Sequence, residues 1–290
     1  MESEENLSFA RSDEPESEVL YIVGTPIGNL NDISKRSANI LSKVSFIACE
    51  DTRHTRRMLS ALKINNRLIS FHKHNAKSKT EFIISKLKEG ESVGLVSDAG
   101  MPLISDPGEY LVKKARCNNL EVICSPGPCA ALTGLVSSGL VSNNFLFIGF
   151  ISRKKNEREK CLRTIAKSIN TTIVYESPKR LKSFLKELED FCDDDRVIHI
   201  AKELTKKHEQ HWQDTLKNIN QLMSIKEPKG EYTIIIEGKK KEERNEQELY
   251  EGLKMDLKNL IELGLKRSSA ASFLANKSGL SKNIIYNLKY

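Results

Sequence analysis

Two stretches of this chain carry side chains whose types and spacing could do chemistry. In Val93-Gly-Leu-Val-Ser-Asp-Ala-Gly-Met-Pro-Leu-Ile-Ser-Asp-Pro-Gly108 an apolar strand ends in a carboxylate, Asp98. Ala99 and Gly100 beside it carry almost no side chain, so a ligand can approach the backbone closely. Ser105-Asp-Pro-Gly108 then fits a helix start, with Ser105 or Asp106 as the cap and Pro107 in the first turn. In Glu50-Asp-Thr-Arg-His-Thr-Arg-Arg57, two carboxylates and three arginines follow another apolar strand. Open α/β sheets place their sites at such strand ends. The same residues also fit a solvated helix start capped by Asp51 or Thr52. A carboxylate in a cleft can take a proton from a reacting group, and a guanidinium can hold a phosphate.

These stretches need a scaffold, and the apolar patterning supplies one. Strands are expected at 19–23, 44–49, 67–71, 93–96 and 120–124, alternating with helices at 34–41, 77–88, one ending near 115 and one ending near 138. Such alternation predicts a largely parallel sheet with helices on both faces. The first strand runs into Gly24-Thr-Pro-Ile-Gly-Asn-Leu-Asn-Asp32, which is neither GxGxxG nor a P-loop, so neither a nicotinamide site nor a phosphate cradle is indicated. Residues 142–144 read as a linker. A second unit follows, with strands at 145–150, 171–175, 197–201, 211–213 and 230–237 and helices ending near 189 and spanning 216–223. Its closely spaced last strands predict a mixed sheet. Beyond a charged linker at 239–245 come three helices, 246–263, 268–277 and 281–288, with Gly264 and Gly279 as stops and Ser268 and Ser281 as caps. Residues 267–286 resemble a helix-turn-helix. The fold class is therefore two α/β domains, 19–141 and 142–238, and a small helical appendage at 239–290. Residues 1–18 are acidic and nearly free of apolar side chains, and read as a disordered tail.

Composition narrows the partners. The 290 residues are 39% hydrophobic and 29% charged, as in a protein with a real core, and no apolar run approaches a membrane span. The N-terminus has acids where a signal peptide would have bases, which points to the cytoplasm. The net charge is +7, but residues 1–18 hold seven acids and one arginine, so their −6 leaves +13 on the rest. A body that basic suits a polyanion. From Gly264 onward there are five bases and no acids. The six cysteines form no CxxC pair and are expected as free thiols, with Cys49, Cys124 and Cys129 buried; no histidine spacing indicates a metal.

Seven ordered motifs resemble one family. Gly24-Thr-Pro-Ile-Gly-Asn-Leu-Asn-Asp32, Glu50-Asp-Thr-Arg-His-Thr55, Ser97-Asp-Ala-Gly-Met-Pro-Leu-Ile-Ser-Asp-Pro-Gly108, Ser125-Pro-Gly-Pro-Cys-Ala130, Tyr175-Glu-Ser-Pro-Lys-Arg180, Lys202-Glu-Leu-Thr-Lys-Lys-His-Glu209 and Gly230-Glu-Tyr232 resemble the ribosomal RNA small-subunit methyltransferase I family of the tetrapyrrole-methylase superfamily. The resemblance implies S-adenosyl-L-methionine as cofactor and methyl transfer to the ribose 2′-hydroxyl of a cytidine in the decoding centre of 16S rRNA. It also implies two α/β domains with the cofactor folded in the cleft between them, in a homodimer acting on 16S rRNA or the small ribosomal subunit. Carried over by position, Pro26, Gly28, Asp98, Ala99, Gly100, Cys129, Ala130, Tyr175, Glu176 and Gly230 would line the cofactor site. Cys129 stands where the family commonly has Ser, and Met101 where Thr is common, which removes two hydroxyls.

A 2′-hydroxyl is a weak nucleophile, so such transfer calls for an in-line donor and a base. Glu50, Asp51 or Glu203 is the expected base, with Arg53 and Lys202 positioning RNA phosphate. Arg56, Arg57, Arg153, Lys154, Lys155, Lys266, Arg267, Lys277 and Lys282 are expected to complete the polyanion surface. A tetrapyrrole-like small-molecule methylase and a non-enzymatic nucleic-acid binder are the alternatives. The basic body weighs against the first, and the repeated ligand loops against the second.

Overall fold

The computed structural model describes residues 14–240 and 246–289; residues 1–13, 241–245 and 290 lie outside the described residues. The chain forms two compact units that divide after Gly238. The larger unit holds two five-stranded sheets.

The first sheet is built from β1 (Val19–Val23), β2 (Phe46–Cys49), β3 (Leu68–Ser70), β4 (Val93–Val96) and β5 (Glu121–Ser125). Their order is β3-β2-β4-β1-β5, and every pairing is parallel. Central strands buried on both faces need unbroken apolar runs, and Val19-Leu-Tyr-Ile-Val23 is buried at all five positions. Helices α1 (Lys35–Lys43) and α2 (Thr52–Ala61) cover one face, where Ile40, Leu41 and Leu59 pack on Tyr21, Val23 and Ile47. Helices α3 (Ala76–Lys88) and α4 (Glu109–Cys117) cover the other, where Ile83, Leu87 and Leu111 pack on Leu20, Phe46 and Leu95. The expected parallel sheet with helices on both faces is what forms.

The second sheet is mixed, as its spacing predicts. It contains β6 (Phe145–Phe150), β7 (Thr171–Glu176), β8 (Val197–Lys202), β9 (Gln210–Thr215) and β10 (Tyr232–Ile236), in the order β6-β7-β10-β8-β9. Only β6 and β7 run parallel. Helices α6 (Lys155–Lys167), α7 (Pro178–Glu189) and α8 (Leu216–Ile225) bury Leu162, Phe184, Leu185 and Ile219 against Val174, Ile234 and Ile236 on one face. The other face receives α5 (Ala130–Ser138), the helix that follows the first sheet, through Ala131 and Leu135 against Ile173 and Ile235. One helix therefore leaves the last strand of the first sheet and packs on the second sheet. That packing is close: a Cβ on Gly134 would stand 2.9 Å from Thr233 Cγ2.

The smaller unit holds α9 (Glu246–Glu262), α10 (Arg267–Ser278) and α11 (Lys282–Tyr286), packed through Leu253, Leu257, Ala270, Leu274 and Ile285. Gly279 ends α10 in the left-handed conformation, and the Ser281 side chain caps α11. Among the described residues no helix is long and apolar enough to cross a membrane.

Several local expectations need correction. Gly108, at φ 145°, is the N-terminal flanking residue of α4, so neither Ser105 nor Asp106 caps it and Pro107 lies before it. Lys266 rather than Ser268 precedes α10. Cys124 is exposed and Cys129 only half-buried, because β5 is an edge strand and Cys129 sits in the loop beyond it. Of the expected disordered tail, residues 1–13 lie outside the described residues. Glu14, however, is buried and paired with Arg36, with Nε donating to Oε2 at 2.7 Å.

Gly134→Val should overpack the contact between α5 and β10. We expect a loss of about 1–3 kcal/mol, read from the midpoint of urea unfolding at an unchanged slope.

Candidate active site

At the C-terminal ends of the first sheet's strands, three loops are joined backbone to backbone. The Thr25 N–H donates to Gly100 O (2.9 Å) and the Gly100 N–H to Thr25 O (3.1 Å), a single antiparallel bridge between the loops after β1 and β4. The Gly24 N–H donates to Ser125 O at 3.2 Å. Gly24 and Gly127 touch so closely that a Cβ on either would stand 2.7 Å from the other's Cα. The loop after β2 joins through Asp98, whose Oδ1 accepts the Asp51 N–H at 3.0 Å.

Above this platform lies a cavity of about 440 Å³. Its wall on the first-sheet side is Ile27, Glu50, Asp98 to Met101, and Ile104 to Asp106. Cys129 and Ala130 at the start of α5, Phe150 at the end of β6, and Tyr175 to Pro178 at the end of β7 and the start of α7 form the next part. Ala201, Leu204 and residues 230–233 close it. Tyr175 packs edge-on against Phe147 with ring centroids 5.3 Å apart, and burial raises its phenol pKa.

The carboxylates around this cavity differ sharply. Asp51 caps α2 through the Arg53 N–H (2.8 Å) and pairs with Arg53 Nη2 (2.8 Å), contacts that hold it well below the usual carboxylate range. It does not line the cavity. Neither does Glu203: its Oε1 accepts the Glu231 N–H (2.9 Å) and Lys206 Nζ (3.1 Å). Burial works to raise the Glu203 pKa, but those donors outweigh it and the pKa is lowered. Two of the three expected bases are thus engaged outside the cavity, and only Glu50 lines it. Glu176 lines it too, fully buried, with Arg180 Nη2 2.7 Å from Oε1 and Arg158 Nη1 3.6 Å from Oε2. Its Oε2 accepts no hydrogen bond among the described residues.

One cavity residue was read from sequence only as a helix cap. Asp106 is half-buried, and its pKa is pushed up to about 6 by burial first and then by Glu50. The signal that could have marked it is its place in the same loop as Asp98, eight residues further on. Phe150, Leu204 and Ile104 were also not singled out from sequence.

Of the positions expected at a cofactor site, Asp98, Ala99, Gly100, Cys129, Ala130, Tyr175, Glu176 and Gly230 line the cavity, while Pro26 and Gly28 do not. Gly28 is instead packed against Thr205 and Lys206, and the neighbouring Asn29 N–H donates to Thr205 Oγ1 at 3.1 Å. The cavity fits a nucleoside-bearing cation. Ligand pockets start at about 300 Å³, and the first turn of α5 has no side-chain cap from Cys129, though its Ala131 N–H is met by the Tyr175 hydroxyl. Glu50, Asp98 and Asp106 offer negative charge, and Glu176 Oε2 an unused acceptor.

The expected RNA ligands are scattered over several surfaces. Arg53, Arg56 and Arg57 line an open groove on α2 with Thr52 and Ser60. Arg153, Lys154 and Lys155 are exposed before and at the start of α6, Lys154 lying 3.1 Å from Glu157. Lys202 is half-buried near Gln210. Lys266, Lys277 and Lys282 are exposed on the helical unit. Arg267 is committed there: it donates to Tyr286 O (3.0 Å) and Leu288 O (2.6 Å) and lies over the Tyr286 ring. Among the described residues no cluster of His, Cys, Asp or Glu is arranged for a metal ion.

Residues 19–220 match the family described as Tetrapyrrole (Corrin/Porphyrin) Methylases. Ribosomal RNA small subunit methyltransferase I from Synechocystis sp. is 41% identical over 270 residues, spanning 93% of this chain and 96% of that one. Diphthine synthase shares the fold at a TM-score of 0.58 and 15% identity, over 76% of this chain and 90% of that chain. So does uroporphyrin-III C-methyl transferase from Thermus thermophilus complexed with S-adenyl homocysteine, at 0.54 and 13%, over 75% and 96%. The chain belongs to the tetrapyrrole methylase family, in the branch that contains the ribosomal RNA small subunit methyltransferase I proteins.

Removing Arg180 should leave the buried Glu176 carboxylate with the Ser177 N–H and only one cation, the more distant Arg158. Arg180→Met is expected to cost roughly 3 kcal/mol of stability. Glu176→Gln in that background should recover part of the loss in chemical denaturation.

Proposed function

We propose that this chain is an S-adenosylmethionine-dependent methyltransferase acting on small-subunit ribosomal RNA, and that it methylates the 2′-hydroxyl of a decoding-centre cytidine. The observation that carries the reading is near-full-length similarity to ribosomal RNA small subunit methyltransferase I proteins together with the cavity at the sheet's C-terminal edge. S-adenosylmethionine supplies an electrophilic methyl group on a cationic sulfur. Asp98, Ala99, Gly100, Cys129, Ala130, Tyr175, Glu176 and Gly230 hold it in this reading. The uncapped start of α5 would meet its carboxylate, and the cavity's own carboxylates would meet its positive charges. Tyr175, packed against the Phe147 and Phe150 rings, makes that wall aromatic.

The RNA lies across the basic exterior. Arg53, Arg56 and Arg57 hold backbone phosphate at the groove on α2, close in sequence to the cavity residue Glu50. Arg53 is bound to Asp51, but its side chain is 85% exposed and can turn to a phosphate. Arg153, Lys154, Lys155 and Lys202 offer further cations, as do the lysines of the helical unit. The enzyme works in the cytoplasm as a homodimer, for which the exposed Leu132, Val136, Val141 and Phe145 offer apolar surface.

Labelled methyl transfer from S-adenosylmethionine should be measured on small ribosomal subunits lacking the modification and on naked 16S rRNA, with the nucleotide mapped by reverse-transcription stops. Label on one decoding-centre ribose is expected. Cofactor binding without label on either RNA would turn the reading to a small-molecule methylase. Replacing Arg53, Arg56 and Arg57 by Gln should weaken RNA binding and flatten the log–log salt slope by about 1 for each phosphate no longer neutralised. An unchanged slope would place the RNA elsewhere.

A further inference from the structure

We infer that Asp106 is the general base that takes the proton of the substrate hydroxyl; this rests on the proposed methyl transfer. A base must reach the reacting group and be free of an ion pair and of a cofactor-holding role. Asp51 and Glu203 lie outside the cavity, each held by N–H donors and a cation. Asp98 accepts the Asp51 N–H and Glu176 is ion-paired with Arg180, both on the wall proposed to hold the cofactor, and Glu231 is paired with Lys206 Nζ at 2.9 Å. Glu50 and Asp106 remain.

Asp106 is the better placed of the two. It stands on the loop that continues from the Asp98-Ala-Gly-Met101 wall, and Ile104, Ser105 and Asp106 all face the cavity. Leu103 and Ser105 both hold φ 71°, unusual for residues with a Cβ. The loop is kept there against β6: a Cβ on Gly149 would stand 2.7 Å from Ser105 Oγ. Four charged or titratable groups act on the carboxylate from the elements around it. Glu50 after β2 and Asp98 after β4 disfavour its charge, Lys73 after β3 favours it, and Tyr175 on β7 also lies within electrostatic reach. The Ser97 hydroxyl favours the charged form too. The result is a carboxylate that is ionised at neutral pH yet basic enough to hold a proton.

The step balances. As the 2′-oxygen bonds to the methyl carbon, that carbon's bond to sulfur breaks with its electron pair left on sulfur. Asp106 takes the hydroxyl proton and returns it to solvent.

The raised pKa also affects stability. With an ordinary value of 3.8 and a folded value near 6, the fold prefers Asp106 neutral. That preference favours the fold fully below pH 3.8 and is lost as pH rises through 6.

The test compares wild type with Asp106→Asn, Asp106→Glu and Glu50→Gln in single-turnover transfer to RNA from pH 5 to 9. Melting temperature and S-adenosylmethionine binding by calorimetry are measured alongside. Asp106→Asn should lose about 100-fold or more in rate while binding the cofactor, and at pH 8 should melt no lower than wild type. Asp106→Glu should recover part of the rate. Wild-type rate should fall as pH drops through about 6, and Glu50→Gln should move that acid limb to lower pH. Asp106→Asn that keeps its rate, or an acid limb unmoved by Glu50→Gln, overturns the inference while wild-type transfer still supports the methyltransferase. No transfer by wild type overturns both.

Discussion

The constraint on which this structure depends is the approach of two backbones at Gly24 and Gly127. Side chains keep most crossing segments further apart than this. Here the loops after β1 and β5 meet with nothing between them, and a Cβ on either residue would stand 2.7 Å from the other's Cα. The Thr25–Gly100 bridge then brings the loop after β4 into the same layer. These contacts make a floor of backbone rather than side chains. They also set where α5 starts, and therefore how it meets the second sheet. The cavity is a consequence: it is the space left between that floor and β7, β8 and β10 once α5 has packed on Ile173 and Ile235.

Charge is separated over this frame in a way that suits two ligands of opposite sign. The cavity contributes Glu50, Asp98 and Asp106, while Glu176 is neutralised from behind by Arg180 and Arg158. The exposed start of α2 contributes Arg53, Arg56 and Arg57. In the proposed reading a cationic methyl donor sits inside and a polyanionic acceptor outside. The two regions are joined through a short stretch of chain, since Glu50 lies just before α2 and Arg53 in its first turn. Coulomb attraction is stronger in the partly desolvated cavity than on the wet surface, so in the proposed reading the interior carboxylates bear on positioning and the exterior arginines on salt-dependent capture.

Most of the scaffold was legible because it rests on local pattern. Continuous apolar runs such as 19–23 and 93–96 can only be strands buried on both sides, and the glycine and proline after each told where the chain must turn. The close spacing of 197–201 and 211–213 foretold the antiparallel pair. The site was legible only where its residues sit in those turns. What sequence could not show is which polar groups are already occupied. Glu203 is taken by the Glu231 N–H, 28 residues away, and Arg267 by carbonyls at Tyr286 and Leu288. Asp106 was hidden for a related reason. Ser-Asp-Pro-Gly reads as a helix cap, but Gly108 can take φ 145° and start α4 without one, which releases the aspartate to the cavity.

The carboxylates divide by what surrounds them. One kept for structure is tied to donors that prefer its charge, and its pKa falls, as at Asp51 and Glu203. Asp106 has the opposite surroundings: burial and two neighbouring acids oppose its charge, against one lysine and one hydroxyl. Such an arrangement weakens the fold at neutral pH, and it sits on a loop with two non-glycine residues at positive φ. Neither feature helps the packing of the first sheet, which is complete without Asp106. A group that costs stability where it stands, and whose proton affinity lies near neutrality, is suited to moving a proton rather than to holding a fold.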